Sequence, residues 1–334
     1  MNWKFWLGIL ISVLFLFLAF RKVNITEFKQ ALQGANYIYL IPVVLLALSS
    51  FAIRALRWRY LLEPIKKIRF HSLFSATMIG FMANNLLPAR LGEFVRAYII
   101  GEKERISKSS SFATIVIERI FDGFTLLFFL ALILIFFSSP EWLKNSGYIA
   151  FIIFFTTLIF LILLKNYTKK TLRLVSFVFK PFPHGFQEKL INFLNSFIDG
   201  LKILHNTKNV IKACIFSLFI WLPSVLLTYL LFISFNMNLP VYAAFLLLSA
   251  ITISIMIPAA PGFIGTVQYV CVLTLSLFAI SNERALSFSI IYHASLFIPV
   301  TTVGLVYSVA EGLSFKKIRD SIKPKKEYNN ENRG

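Results

Sequence analysis

Residues 84–96 read NNLLPARLGEFVR and interrupt an apolar stretch that runs from residue 70 to residue 100. The proline disfavours an uninterrupted helix, because it lacks an amide N–H and its ring clashes with the preceding turn. The segment beyond it, 91–100, is too short to cross the roughly 30 Å hydrocarbon core of a bilayer. Non-helical backbone is tolerated at that depth only where protein or a water-filled cavity surrounds it. The stretch therefore predicts a re-entrant hairpin, a helix that turns inside the membrane and comes back.

Apolar runs on both sides of this hairpin predict an all-α integral membrane protein. The 334 residues are 57% hydrophobic and 15% charged, whereas a soluble domain carries about 25% charged residues. This composition excludes a soluble enzyme. A second broken run, 241–280, is interrupted by PAAPG at 258–262 and predicts a second re-entrant hairpin. About six spanning helices are expected beside the two hairpins, near residues 5–20, 37–61, 111–137, 147–164, 211–235 and 285–310.

The two helix breaks share the pattern P-A-x-x-G, at 88–92 and at 258–262. Three predicted spanning helices separate the hairpins, and an odd number means that the hairpins enter the membrane from opposite faces. This arrangement is typical of an inverted repeat, in which the binding site lies near the bilayer midplane between broken helices. The residues assigned to the breaks are Pro88, Gly92, Pro258, Pro261, Gly262 and Gly265.

Basic residues predict the orientation of the chain. The net charge is +19, and Lys and Arg concentrate around 57–69, 103–108, 165–210 and 316–333. If both hairpins return to the side they entered, all these segments face the cytoplasm, together with both termini. We therefore expect a multi-pass inner (plasma) membrane protein that attracts anionic lipids and binds no nucleic acid.

The same pattern divides the chain into a membrane domain and a tail. Residues 1–315 are expected to form the polytopic membrane domain, and 316–334 a basic, disordered cytoplasmic tail. Within the domain, 168–208 is expected to be a cytoplasmic loop. Its apolar residues from Phe186 to Leu204 recur at helical spacing, which predicts an amphipathic helix on the membrane surface.

The first polar cluster surrounds the break of the first hairpin. Arg90, Glu93 and Arg96 are spaced i, i+3, i+6, which predicts one shared helical face. Two guanidinium groups beside a helix N-terminus suit a phosphate group, and Asn84 and Asn85 can bind a head group or satisfy the broken backbone. A structural ion pair is the alternative, although a charge at the bilayer centre costs about 2.5–3.5 kcal/mol on insertion scales, which favours a function.

The second polar cluster lies inside a predicted spanning helix, where residues 118–122 read ERIFD. Glu118 and Asp122 are one turn apart, with Arg119 beside them, and we expect them to pair with each other or with Arg90 and Arg96. All three are candidates for substrate binding. An interhelical salt bridge without substrate contact is the alternative.

The remaining polar residues carry weaker signals. Gln268 follows the second break and is a candidate for substrate binding at an uncharged hairpin tip, where the alternative is a plain proline kink. Arg54 is expected to snorkel towards the membrane surface. No HExxH, GxSxG or Walker A motif is present, so no catalytic residue, metal or cofactor is expected.

These residues resemble the membrane domain of lysylphosphatidylglycerol synthases, which also occurs alone in flippase-like proteins. The resemblance implies that the chain translocates a lipid, and members often carry glutamate where this chain has Gln268. In full synthases a separate cytosolic domain makes the aminoacylated lipid, and since this chain ends at Gly334 we expect that domain to be absent. The motifs are Arg54-x-x-Arg57-Trp58, Asn84-Asn85-x-x-Pro88-x-Arg90-x-Gly92-Glu93-x-x-Arg96, Glu118-Arg119-x-x-Asp122 and Pro258-x-x-Pro261-Gly262-x-x-Gly265.

The function expected from the sequence is a flippase-like transporter that translocates a phosphate-bearing lipid, either a phospholipid or a polyprenyl-phosphate-linked lipid. The alternative is a membrane enzyme or accessory subunit of lipid or glycolipid synthesis that acts on a polyprenyl-phosphate lipid. The expected partners are membrane lipids, with a homo-oligomer or a lipid-synthesis enzyme left open.

Overall fold

The structure is a computed structural model that describes residues 3–21, 23–87, 90–136, 141–180, 184–200, 207–255 and 260–313. Within these ranges the chain is all-helical, as the apolar runs predict. Its helices are α1 (Trp3–Phe20), α2 (Ile25–Gln33), α3 (Leu40–Leu62), α4 (Phe70–Leu86), α5 (Gly92–Glu104), α6 (Lys108–Phe136), α7 (Glu141–Asn166), α8 (Thr168–Val178), α9 (His184–Gly200), α10 (Thr207–Ser234), α11 (Val241–Ser254), α12 (Thr266–Leu275) and α13 (Asn282–Ala310).

Several of these helices can cross a bilayer. By length and composition, five helical segments of the described chain are long and apolar enough, and one of them, Pro261–Phe278, belongs to the second broken run. A sixth is added if α1 and α2, which meet at a bend of 88°, form one broken span. Helix α6 is also long, with 29 residues, but carries its charged cluster at mid-length. The prediction of an integral membrane protein with about six spans is confirmed.

The first re-entrant hairpin is confirmed by contacts between α4 and α5. At the closed end, Gly92 donates its backbone N–H to Asn84 Oδ1 at 2.8 Å. At the open end, Lys103 Nζ donates to Ser75 Oγ at 3.3 Å. Helix α5 therefore runs back alongside α4. A side chain at Gly92 would place its Cβ 1.9 Å from the carbonyl oxygen of Gly80, so glycine permits this close approach.

One detail of the first hairpin differs from the prediction. Helix α5 begins at Gly92 rather than at the proline, and Arg90 adopts a left-handed backbone conformation with φ 53°. The predicted common face of Arg90, Glu93 and Arg96 is therefore wrong, because Arg90 lies outside the helix. Pro88 lies outside the described residues.

The second re-entrant hairpin joins α11 to α12 through a 3₁₀ turn at Pro261–Phe263. The rings of Tyr242 and Phe278 lie 5.9 Å apart, so the two arms end side by side. Gly262 and Gly265 have φ angles of 71° and 89°, which favour glycine. A Cβ at Gly265 would also lie 2.4 Å from a backbone oxygen of α1. Pro258 lies outside the described residues.

The tips of the two hairpins meet midway along α13. Asn85 Nδ2, at the first tip, donates to Thr301 Oγ1 at 2.9 Å, and Gly262, at the second tip, packs against Phe297. The first hairpin opens beside the last turn of α13, where Lys103 pairs with Glu311 at 2.5 Å. The second hairpin opens beside the start of α13. The hairpins thus open towards opposite ends of the bundle, whereas an inverted repeat relating them stays a prediction.

The segment expected to lie on the membrane surface forms two helices, α8 and α9. Helix α9 packs on the first turns of α6, where the rings of Phe112 and Phe193 lie 6.3 Å apart and Phe197 is buried. Its apolar face therefore contacts protein. The boundaries at 168–208 and at residue 315 stay predictions. Residues 201–206 and the tail 316–334 lie outside the described residues.

Candidate functional site

A cavity of about 330 Å³ lies among α3, α4, α6, α10 and α11, beside the first hairpin tip. Its charged lining consists of Arg54 from α3, Arg90 from the hairpin tip, and Arg119 and Asp122 from α6. Asp122 lies at the middle of the 29-residue α6, about 20 Å along the helix axis from its start. The charged groups therefore lie near the middle of α6.

The remainder of the cavity wall is mainly apolar. Gly123 provides close contact between α6 and α7, since a Cβ there would lie 2.2 Å from the ring of Phe154. A positively charged pole beside an apolar wall matches an amphiphile, whose head group and chain need different surroundings. The apolar lining residues are Phe81, Leu126, Phe154, Ile220, Trp221, Leu248 and Ile255.

Asp122 is the centre of the charged lining. Its Oδ2 lies 3.3 Å from Arg54 Nη1 and 3.4 Å from Arg119 Nη2. Its Oδ1 accepts a hydrogen bond from Arg57 Nη1 at 2.5 Å. One carboxylate thus contacts three guanidinium groups and cannot neutralise them all.

Behind the cavity wall, Arg57 is completely buried. It donates to Ser217 Oγ of α10 at 2.8 Å, and its Nε lies 3.7 Å from Glu118 Oε1. These contacts join α3, α6 and α10 around one charge. Arg57 therefore holds the wall of the cavity without lining it.

A second buried pair joins α5 to α6. Arg96 donates to both carboxylate oxygens of Glu118, at 2.6 and 3.3 Å, which is the fork geometry of a strong ion pair. Its guanidinium lies 3.7 Å from the centre of the Trp58 ring, and Trp58 Nε1 donates to Thr114 Oγ1 at 2.9 Å. Arg96 and Glu118, both predicted to bind substrate, are thus engaged with each other below the cavity lining.

Comparison with known proteins connects this geometry to a family. The family model described as lysylphosphatidylglycerol synthase TM region matches residues 5–304. The chain belongs to this family. The resemblance indicated by the arginine, glutamate and proline motifs is thereby confirmed. No solved structure matches the chain significantly.

Several curated archaeal proteins are similar to this chain. A UPF0104 membrane protein of Methanothermobacter thermautotrophicus is 24% identical over 295 residues, covering 84% of this chain and 87% of the relative. The UPF0104 membrane protein MJ1595 of Methanocaldococcus jannaschii is 25% identical over 309 residues, covering 89% and 92%. The glycosyltransferase AglD of Haloferax volcanii is 30% identical over 122 residues, covering 36% of this chain and 19% of AglD.

The family motif residues outside the cavity support the broken backbone. Asn84 accepts from Gly92 N and Asn85 donates to Thr301, so each holds the first tip in place. Gln268 Oε1 accepts from Gly265 N at 2.7 Å, and its Nε2 lies 3.1 Å from His293 Nδ1. That these side chains bind substrate stays a prediction.

Glu93 lies beside the charged lining. Its Oε1 is 3.7 Å from Arg90 Nη2, and its buried Oε2 has no hydrogen-bond partner. Across the described ranges, no three His, Cys, Asp or Glu side chains lie close enough to hold a metal ion.

The site predicted from the sequence does not include Arg54 and Arg57. The prediction that Arg54 snorkels is wrong, since its guanidinium contacts Asp122 inside the bundle. The depth of Arg54 in its helix could have indicated an interior position. Arg54 lies more than two turns before the end of α3, too deep for its side chain to reach the surface easily. Arg57 follows one turn later on the same face.

Proposed function

We propose that this protein is a flippase-like transporter that moves a phosphate-bearing lipid across the inner (plasma) membrane, with both termini in the cytoplasm. The observation that carries the proposal is the cavity beside the middle of α6 in which Arg54, Arg90 and Arg119 face one carboxylate, Asp122. Arginine is well suited to phosphate, because its planar fork donates two parallel hydrogen bonds.

The fold supports movement of such a lipid between leaflets. The two hairpins open towards opposite ends, and near the cavity Arg90 lies over the Phe263 ring at 5.9 Å. Asn85 bridges to Thr301 at the same level. Alternating access in proteins with broken helices is largely a rocking of one part of the bundle against the other around a fixed site, and these tip contacts lie where such a movement would act.

The proposal is tested by translocation of fluorescent phospholipids in proteoliposomes. Arg54→Gln combined with Arg119→Gln should lower the transport rate at least about tenfold, since the head group loses two charge-assisted hydrogen bonds. Arg284→Gln is the matched control, because Arg284 is exposed and lies outside the cavity. Full transport by a stably folded Arg54→Gln/Arg119→Gln variant would overturn the proposal.

A second candidate function is favoured by the similarity to the glycosyltransferase AglD. The protein would then be an enzyme or accessory subunit of glycolipid synthesis that acts on a polyprenyl-phosphate lipid. Three results together would favour it: no transport by the protein alone, co-purification with a synthesis enzyme, and altered glycolipid products in an Asp122→Asn variant.

A further inference from the structure

We propose that the cavity selects lipids whose head group carries two negative charges, a terminal phosphate monoester or a diphosphate, over phosphodiester and aminoacylated lipids. This inference rests on the proposed function, because it takes the cavity to be a lipid-binding site. It adds the chemical class of the head group.

The first argument is the count of charges around the cavity. Three of the five arginines can each be matched with one carboxylate. Arg96 pairs with Glu118 at 2.6 Å, Arg57 pairs with Asp122 at 2.5 Å, and Arg90 lies 3.7 Å from Glu93. No further acidic side chain lines the cavity among the described residues. The cluster therefore consists of five arginines and three carboxylates.

The two arginines in excess are Arg54 and Arg119. Among the carboxylates of the described residues, each is within 4 Å of Asp122 alone, and that carboxylate already accepts the short hydrogen bond from Arg57. Both line the cavity. Two positive charges are therefore in excess beside a mainly apolar cavity wall, where an unpaired charge is costly. A bound anion with two charges would neutralise the cluster, whereas an anion with one charge would leave one guanidinium unmatched.

The second argument is the separation of the two groups. Arg54 Nη1 and Arg119 Nη2 both lie within 3.4 Å of the same oxygen, so they are less than twice that distance apart. Charge-assisted hydrogen bonds from guanidinium to phosphate are about 2.7–2.9 Å long. One phosphate group is wide enough to reach both nitrogens. A monoester offers three terminal oxygens for this bridge, while a diester offers two.

The third argument concerns positively charged head groups. A lysyl group esterified to phosphatidylglycerol adds ammonium groups to a single phosphate. In this cavity those groups would face Arg54, Arg90 and Arg119, and the one lining carboxylate, Asp122, is already shared by three guanidinium groups. Like charges at such distances repel strongly away from water. The cavity is therefore poorly suited to an aminoacylated lipid.

The test measures lipid binding to the purified full chain in nanodiscs by competition against a fluorescent lipid. The probes carry identical acyl chains: phosphatidic acid, its methyl ester phosphatidylmethanol, and lysylphosphatidylglycerol. Phosphatidic acid and its methyl ester differ by one methyl group and one ionisation, the second ionisation of a phosphate monoester having a pKa of about 6. We expect phosphatidic acid to bind at least about tenfold more tightly than its methyl ester, and lysylphosphatidylglycerol to bind most weakly.

Variants make the test specific to the excess charge. Arg54→Gln, or Arg119→Gln should the first variant fold poorly, removes one excess charge and should bring the ratio of the two affinities close to one. Arg284→Gln removes a charge outside the cavity and should leave the ratio unchanged. Equal affinities for phosphatidic acid and its methyl ester in the unaltered protein, or an unchanged ratio in both folded cavity variants, would overturn the inference.

The binding experiment tests the head-group inference and the translocation experiment tests the transporter, so either proposal can fail without the other. Selective binding of phosphatidic acid without translocation in proteoliposomes would support the head-group inference and refute the transporter. Translocation that does not distinguish phosphatidic acid from phosphatidylmethanol, together with unselective binding, would support the transporter and refute the head-group inference.

Discussion

Replacing Glu118 with glutamine is expected to destabilise the protein, because this carboxylate compensates two buried arginines. Arg96 donates to it at 2.6 and 3.3 Å, and Arg57 Nε lies 3.7 Å away. Removing one partner of a buried ion pair costs about 3–5 kcal/mol. We expect the unfolding free energy to fall by about 3 kcal/mol, the low end of this range. The reason is that Arg96 keeps its contact with the Trp58 ring at 3.7 Å, and such contacts contribute about 2 kcal/mol when desolvated.

The assay is reversible unfolding in mixed detergent micelles, followed by tryptophan fluorescence. Adding Arg96→Met to Glu118→Gln removes both charges and keeps an apolar side chain against Trp58, so the double variant should recover most of the lost stability. Glu283→Gln is the matched control. Its carboxylate is at the exposed start of α13 and accepts from Asn24 N at 3.2 Å, and the variant should lose no more than about 1 kcal/mol of unfolding free energy. A Glu118→Gln variant as stable as the control, or a double variant less stable than Glu118→Gln, would refute this account of the buried pair.

Three further expectations follow from the hairpin tip, the helix packing and the topology. Arg90→Lys should impair translocation in proteoliposomes although it keeps the charge, because an ammonium lacks the planar fork of guanidinium; unimpaired transport would contradict a phosphate contact at the tip. Gly92→Ala should lower the unfolding free energy by about 3 kcal/mol, the upper end of the usual cost of overpacking, since its Cβ would meet a backbone oxygen at 1.9 Å. Gly185→Ala is its control, with nothing within 4 Å, and equal losses would rule out the packing argument. A cysteine replacing Lys170 should resist an impermeant maleimide in intact cells, and external labelling would contradict the cytoplasmic placement of this segment.

The sequence by itself determined the helices and the two breaks, because their causes are local. The length of an apolar run decides whether a helix can cross the bilayer, and the prolines near 88 and 258 favour a helix break, although Pro223 and Pro299 stand inside α10 and α13. The short arm after the first break could only return, and the contact between Lys103 and Ser75 shows that it does. The number of spans between the breaks also indicated that the hairpins open towards opposite ends.

Only the tertiary structure decided which charges face the cavity. Sequence spacing alone predicts that Arg90 and Arg96 share a helical face and that Arg54 reaches the membrane surface. In the structure, the left-handed backbone at Arg90 takes it off that face, and Arg96 turns to Glu118. Arg54 faces Asp122 in the bundle interior.

The physical reason is that an ion pair depends on distance in space. Arg54, Arg96 and Asp122 stand on α3, α5 and α6, and the packing of these helices sets which guanidinium reaches which carboxylate. An interaction between two side chains one turn apart on the same helix contributes only a few tenths of a kcal/mol. Burial raises the energy of a mispaired charge to several kcal/mol, so the packed bundle, rather than any local pattern, selects the pairing.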